Sequence, residues 1–388
     1  GEMFFFKKIA FVTLLILMVI IMEGCWDNKD VTVLSFVVAM GLDLDAQGKT
    51  VVTVQVAKPS VIGINQKIPS PEPAVSVYSS SGLTVFDAVR NTLSQVNEKL
   101  YFHHLQILVI SEEIARKSIA DALDFMLRDH EGEPMAKLLV AKGCKASEVI
   151  EALSDVEDIP AMHLISILDN SENLPFIRKV DLFEILKSLE QEGVEPVVGV
   201  VTKTSDKTEL NIKDLRLTGA AVFKGDKLVG WLDLRETRGF LFVENRVVSG
   251  IINIDNPLDE GKMISIEMTH STANKDVVLQ DGELKILIEI SVEADIGNKQ
   301  GTGNLTSEEV ISNLEREVEG VIKNEVQQTV ELAQKVYKSD IFGFGEIVRK
   351  SYPHYWEQIS DWNESFSELP LELRVVAKIR GAGLLSET

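Results

Sequence analysis

Cysteine is the scarcest residue in this chain of 388: there are two, Cys25 and Cys144. Two thiols give no disulfide framework and no cysteine metal site. Positive charge is also short: 39 Lys and Arg stand against 60 Asp and Glu, a net charge of −21. An acidic surface repels phosphate backbones and anionic headgroups, so nucleic-acid binding is excluded as a class, and membrane association needs something other than a basic patch. Catalytic signatures are absent: the chain has no G-x-S-x-G, no H-E-x-x-H and no spaced His/Asp cluster. The glycines of Gly301-Thr302-Gly303 and Gly343-Phe344-Gly345 lack phosphate-loop spacing. No cofactor is expected. What is present, 45% hydrophobic and 26% charged residues, is the composition of a folded globular chain. The expectation is a protein that binds or assembles and carries out no reaction.

One long hydrophobic run exists. Lys7 and Lys8 precede fourteen uncharged residues, Ile9 to Met22, and then Glu23-Gly24-Cys25. A positive start, a short apolar run and small residues before a break are the marks of an export signal. Fourteen residues make about 21 Å of helix, short of the roughly 30 Å hydrocarbon core. Gly-Cys directly after such a run is where bacteria cleave and attach lipid to the thiol, so Cys25 is the expected lipidation site. Glu23 stands where the usual lipobox carries a small neutral residue. An uncleaved anchor, a plain secreted form and a buried structural cysteine are the alternatives.

Residues 31–45 and 51–57 are rich in β-branched residues and flank Ala46-Gln47-Gly48-Lys49, the pattern of a hairpin. Asp43, Asp45 and Gly48 resemble the start of a calcium loop, but its twelfth position would be Val54, so a turn is expected. Residues 58–73, with three prolines, are a loop. Thr84 with Asp87 caps a helix, 101–111 is a strand, Ser111 begins a second helix and 135–143 is another strand, with helical segments from about 146 to 192. This alternation is the rhythm of an α/β sandwich. His103 and His104, adjacent on the expected strand, face opposite sides and hold no common metal. His130, His163, His270 and His354 are solitary.

From about residue 193 short strands surround turns. Residues 220–223, Lys224-Gly225-Asp226 and 227–234 form a hairpin in which Trp231 is a core residue. Arg235, Glu236 and Arg238 are expected in a solvated turn, with a charged site as the alternative. Farther on, apolar residues alternate from Leu284 to Ile296, as in an antiparallel sheet with one wet face. Thr306 or Ser307 caps a long helix to about Lys338, and 371–379 alternates again. Between these, Phe342, Phe344, Tyr352, Tyr355, Trp356, Trp362 and Phe366 crowd into 25 residues. They are expected to fill a gap under a helical subdomain, with a partner-binding surface as the other reading. The resulting division is 1–25 signal peptide and lipobox, 26–195 N-terminal α/β domain, 196–258 small β-rich middle domain and 259–388 C-terminal α+β domain. The fold class is mixed α/β and α+β, with mixed sheets covered by helices and an antiparallel C-terminal domain bearing one long helix.

Gly24-Cys25-Trp26-Asp27 followed by residues 33–43 (VLSFVVAMGLD), and residues 218–243 with Gly230-Trp231-Leu232 and Glu236-Thr237-Arg238-Gly239, resemble the Ger(x)C family, the C subunits of spore germinant receptors. The resemblance covers essentially the whole chain. It implies a non-catalytic, three-domain lipoprotein on the outer face of the spore inner membrane, beside two integral-membrane partners, the A and B subunits, one of them transporter-like. Only Cys25, as the lipid attachment site, is carried over; the family pattern names no ligand-binding residue. The rival reading is an extracytoplasmic solute-binding lipoprotein of a transporter, a class built from two repeated α/β lobes.

Overall fold

A computed structural model describes residues 34–57, 74–96, 99–128, 132–153, 160–203, 215–305 and 307–381, together with Phe11 and Thr13. Two sheets organise them. The larger has the order β3-β2-β1-β5-β6-β7-β8-β9, with β4 pairing β1. Its first strands are β1 (Leu34–Leu44), β2 (Thr50–Ala57), β3 (Val75–Gly82), β4 (Lys99–Tyr101) and β5 (Ile107–Ser111). β6 (Lys137–Lys142), β7 (Val197–Lys203), β8 (Leu215–Lys224) and β9 (Lys227–Leu232) complete it. The centre, β1-β5-β6-β7, is parallel and both edges are antiparallel. A parallel centre needs helices on both faces. One face packs on α1 (Val85–Thr92), α2 (Glu112–Lys117), α3 (Ile119–Arg128) and α6 (Leu182–Glu190); the other packs on α4 (Ala146–Leu153) and α5 (Pro160–Asp169).

The hairpin between β1 and β2 closes on Asp45, whose side chain accepts from the backbone N–H of Gln47 and Lys49. Asp43 turns away from it: buried, it accepts from the backbone N–H of Ala146 and Ser147, each at 2.8 Å. Both acids weighed for a calcium loop are therefore spent on backbone, one closing a turn and one capping α4 from a hundred residues away. The expected strand 101–111 breaks into β4, a turn and β5, because the N–H of Leu105 donates to the Phe102 carbonyl at 2.9 Å. His103 and His104 sit in that turn, exposed, with Tyr101 stacked on His103 at 4.7 Å between ring centres.

The second sheet has the order β10-β11-β12-β13. β10 is Gly250–Asp255, β11 Met263–Gln280, β12 Glu283–Lys299 and β13 Leu371–Gly381. Its centre is a long hairpin that turns on Asp281 and Gly282, both at positive φ (52° and 86°), the Asp-Gly signature of a tight two-residue turn. Along β12 the even positions from Leu284 to Ile296 are buried, as the alternation requires. Ser307 caps α8 (Glu308–Glu331), which runs into a π-helical turn, Leu332–Tyr337, and ends at Lys338 in the left-handed conformation. β13 lies parallel to β12. The expectation was an antiparallel layer throughout, but α8 carries the chain back along the sheet before β13 starts, and such a return makes neighbouring strands parallel.

The stretch 196–258, expected as a unit of its own, is shared. β7, β8 and β9 extend the large sheet and β10 pairs β11 of the second. Local turn spacing marks where strands begin and end but carries no information on which sheet they join. One hydrophobic core consequently spans both sheets, uniting Val197, Val222 and Leu232 with Ile266, Ile290 and Val326.

Candidate functional site

The residues between β9 and β10 form a helix, α7 (Leu234–Val243), and no solvated turn. Asp233 caps it: its carboxylate accepts from the N–H of Arg235 and Glu236, while Glu236 accepts in return from the N–H of Asp233 at 2.7 Å. This reciprocal pair satisfies donors that a helix start leaves open. Arg235 is exposed and contributes no convergent contact. Arg238 instead reaches α8, where Nε donates to Oε2 of Glu325 at 2.7 Å and Nη1 to the Ile251 carbonyl at 3.1 Å. The Glu325 side chain is only 4% exposed. Gly239 lies where the two helices cross, so that a Cβ there would stand 2.6 Å from the Glu325 carbonyl oxygen. Thr329 completes the crossing, donating to the carbonyls of Glu325 and Glu236.

Trp231 is half-buried, short of the core position expected for it. Lys142 Nζ lies 4.8 Å above its ring, and the Tyr337 hydroxyl accepts from its N–H at 3.2 Å and donates to its carbonyl at 2.7 Å. β9 is an edge strand, and Tyr337 occupies that edge. Gly230 makes room, because a Cβ there would stand 2.0 Å from Cε1 of the Tyr337 ring. Burial holds the Tyr337 hydroxyl and the Glu236 carboxyl above their ordinary values.

The aromatic run is core filler, as one of its two readings expected. Phe240, Phe342, Phe344, Phe366 and Trp362 are buried and form a continuous ring chain with steps of 5.5 to 6.5 Å; Tyr352, Tyr355 and Trp356 lie partly buried against it. The rings sit beneath α9 (Phe344–Ser351), α10 (Pro353–Trp356) and α11 (Trp362–Glu368). Within them Asp340 is fully buried and accepts from the N–H of Gly345, Trp362 Nε1 (both 2.7 Å) and the N–H of Phe342. Desolvation pushes its carboxyl up to about 6.

No catalytic constellation assembles from the residues that the sequence singled out. Cys25, Trp26, His130 and the side chain of His163 lie outside the described residues. His270 and His354 are exposed on separate elements, and no described group of three His, Cys, Asp or Glu is placed to hold a metal. No described helix is long and apolar enough to cross a membrane.

The surface that does have the form of a site was not foreseen. A trough of about 1070 Å³ runs between α1 and the α2–α3 pair. Leu100, Phe102, Val89, Ile114 and Phe125 form its apolar base and are buried. Leu83, Phe86 and Leu127 line it while exposed by 78%, 53% and 54%. Soluble surfaces rarely gather large apolar side chains around one depression without a partner to cover them. Both helices show ordinary amphipathic spacing in the sequence; only their parting over the sheet creates the trough, which is why periodicity gave no sign of it.

Comparison with known proteins agrees with the fold and bears out the family resemblance read from the sequence. A family model described as "Spore germination protein N-terminal domain" matches residues 27–203, and one described as "Spore germination B3/ GerAC like, C-terminal" matches 218–383. In Bacillus subtilis (strain 168), spore germination protein KC is 28% identical over 398 residues, covering 97% of each chain. Spore germination proteins B3 and A3 of the same organism are 24% and 23% identical, covering 95% and 94% of this chain and 97% and 95% of theirs. The crystal structure of the GerBC protein superposes with a TM-score of 0.58 at 18% identity, over 88% of this chain and 96% of that one; it shares the fold. The chain belongs to the Ger(x)C family of spore germination proteins.

Proposed function

We propose that this chain is the lipid-anchored C subunit of a spore germinant receptor, non-catalytic, held on the outer face of the spore inner membrane by Cys25. There it docks onto the integral-membrane A and B subunits and helps to trigger germination. The observation that carries this reading is the extent of the likeness: two spore-germination family models cover 27–203 and 218–383, and protein KC matches end to end. A tether confines the chain to the same surface as its partners and raises their effective concentration, so individually weak contacts suffice. An apolar trough with exposed rims is the kind of surface such docking uses. The test is Cys25→Ala in the sporulating cell. Expected are loss of the chain from spore membranes and loss of co-purification with the two membrane subunits. Unchanged retention together with unchanged nutrient-triggered germination would remove the tether from the mechanism. Digestion of cell wall by the purified chain would overturn the non-catalytic assignment.

A further inference from the structure

We propose that the trough between α1 and α3 receives a short amphipathic helix flanked by acidic residues, contributed by a membrane-embedded partner. This inference rests on the receptor-subunit reading and gives that docking surface an occupant. Shape comes first. α1 is 8 residues and α3 is 10 residues long, so the walls extend about 12 to 15 Å. That length accommodates roughly ten helical residues, whose apolar positions i, i+3, i+4 and i+7 form one stripe. A base of buried side chains lies below the exposed rims Leu83, Phe86 and Leu127. A ridge such as a helix fills a trough of this kind, whereas a flat lipid surface would touch only the rims.

Charge chooses the occupant. Arg90, Lys99, Lys117 and Arg128 line the trough against Asp121 and Asp124, four cations to two carboxylates, or +2, in a chain of net −21. One of these cations sits on the apolar rim itself. The Arg90 guanidinium stands 5.1 Å over the Phe86 ring, joining a cation to the most exposed aromatic of the site. Arg128 pairs with Asp124 at 2.8 Å, with side chains 79% and 50% exposed. So exposed a pair contributes little to folding and can exchange for a carboxylate of a partner. Complementary potentials of this kind set partner choice and encounter rate more than raw affinity.

The probe is a fluorescent 14-residue peptide with Leu at helical positions 1, 4, 5, 8, 11 and 12 and Glu on the flanks. It is titrated against the full chain in phosphatidylcholine nanodiscs and read by anisotropy. Companion peptides replace every Glu by Lys, or every Leu by Ser. The expected result is saturable binding of the Leu/Glu peptide, at least tenfold weaker binding of both companions, and a tenfold loss in Phe86→Ser. In the double variant Arg90→Glu, Lys117→Glu the preference should invert towards the Lys peptide. That inversion needs a folded chain and so separates lost contact from lost structure. No binding, or equal binding of Glu and Lys peptides, overturns the proposal. If the chain instead adheres to phosphatidylglycerol vesicles through Phe86 and the two cations and ignores the peptide, the trough faces membrane and the helix is wrong. Failure of either kind with co-purification of the A and B subunits intact leaves the receptor reading standing; loss of co-purification in wild type overturns that reading whatever the peptide does.

Discussion

Asp340 accepts three hydrogen bonds and feels the Lys275 charge, and its carboxyl still rises to about 6 from 3.8. Desolvation therefore outweighs the donors. The folded chain holds this proton more tightly than the unfolded chain does, so its contribution to stability is greatest below the unfolded value and declines as pH climbs from about 4 to 6. The difference corresponds to about 3 kcal/mol. Denaturant titrations of wild type and Asp340→Asn from pH 4 to 7 should show the variant least stable relative to wild type at pH 4, with the gap narrowing towards pH 6. A gap independent of pH would mean that the carboxyl is ionised throughout. The Arg238–Glu325 pair poses the opposite case, a buried carboxylate with a half-buried charged partner. Arg238→Ala leaves the Glu325 carboxylate inside without its guanidinium and should cost about 3 kcal/mol. Arg238→Met combined with Glu325→Leu should recover most of that loss, because apolar side chains of similar volume remove the stranded charge. Urea unfolding of the two variants distinguishes a necessary ion pair from one that is merely costly to halve.

Between elements, the segment that carries the family resemblance proves to be a joint. Gly230 admits Tyr337 against the edge of β9, and Gly239 admits α8 against α7. Gly230→Ala should displace the Tyr337 ring, free both backbone groups of Trp231 and lower stability by about 2 kcal/mol. Gly239→Ala should cost at least as much, since the obstacle there is backbone. By contrast Gly225→Ala, with open space around it but a φ of 58°, should cost about 1 kcal/mol; thermal unfolding of the three gives the ranking. Elements whose signal is local were legible in advance. A cap at Thr306 or Ser307 and the run to Lys338 declared α8, alternation declared β12, and Lys224-Gly225-Asp226 declared its hairpin. Pairings set at a distance were not. Arg238 read as solvated because Glu325 lies 87 residues on, and the separation of α1 from α3 over the sheet depends on packing that neither helix encodes alone. Cys25, the lipidation site proposed above, lies outside the described residues altogether.

For the molecule as a whole, the decisive fact is where the family boundary falls. The two family models meet between residues 203 and 218, yet β7 and β8, which flank that gap, are hydrogen-bonded neighbours in one sheet. Arg178 strengthens the same seam: buried, over the Phe240 ring at 5.5 Å, it donates to the Val197 carbonyl and pairs with Glu184, which also binds Arg246 at 2.8 Å. The halves recognised separately by sequence are thus fused through a shared sheet, a shared core and a shared ion-pair cluster. A chain cut within 204–214 loses neither half's elements but exposes β7 as a raw edge on one fragment and β8 on the other, and unpaired edges next to apolar surface aggregate. Each fragment expressed alone should therefore be insoluble, while co-expression should return a soluble one-to-one complex that elutes with the intact chain and melts in a single transition. Two independently folded, monomeric fragments would show the seam to be a contact between domains and no part of either core.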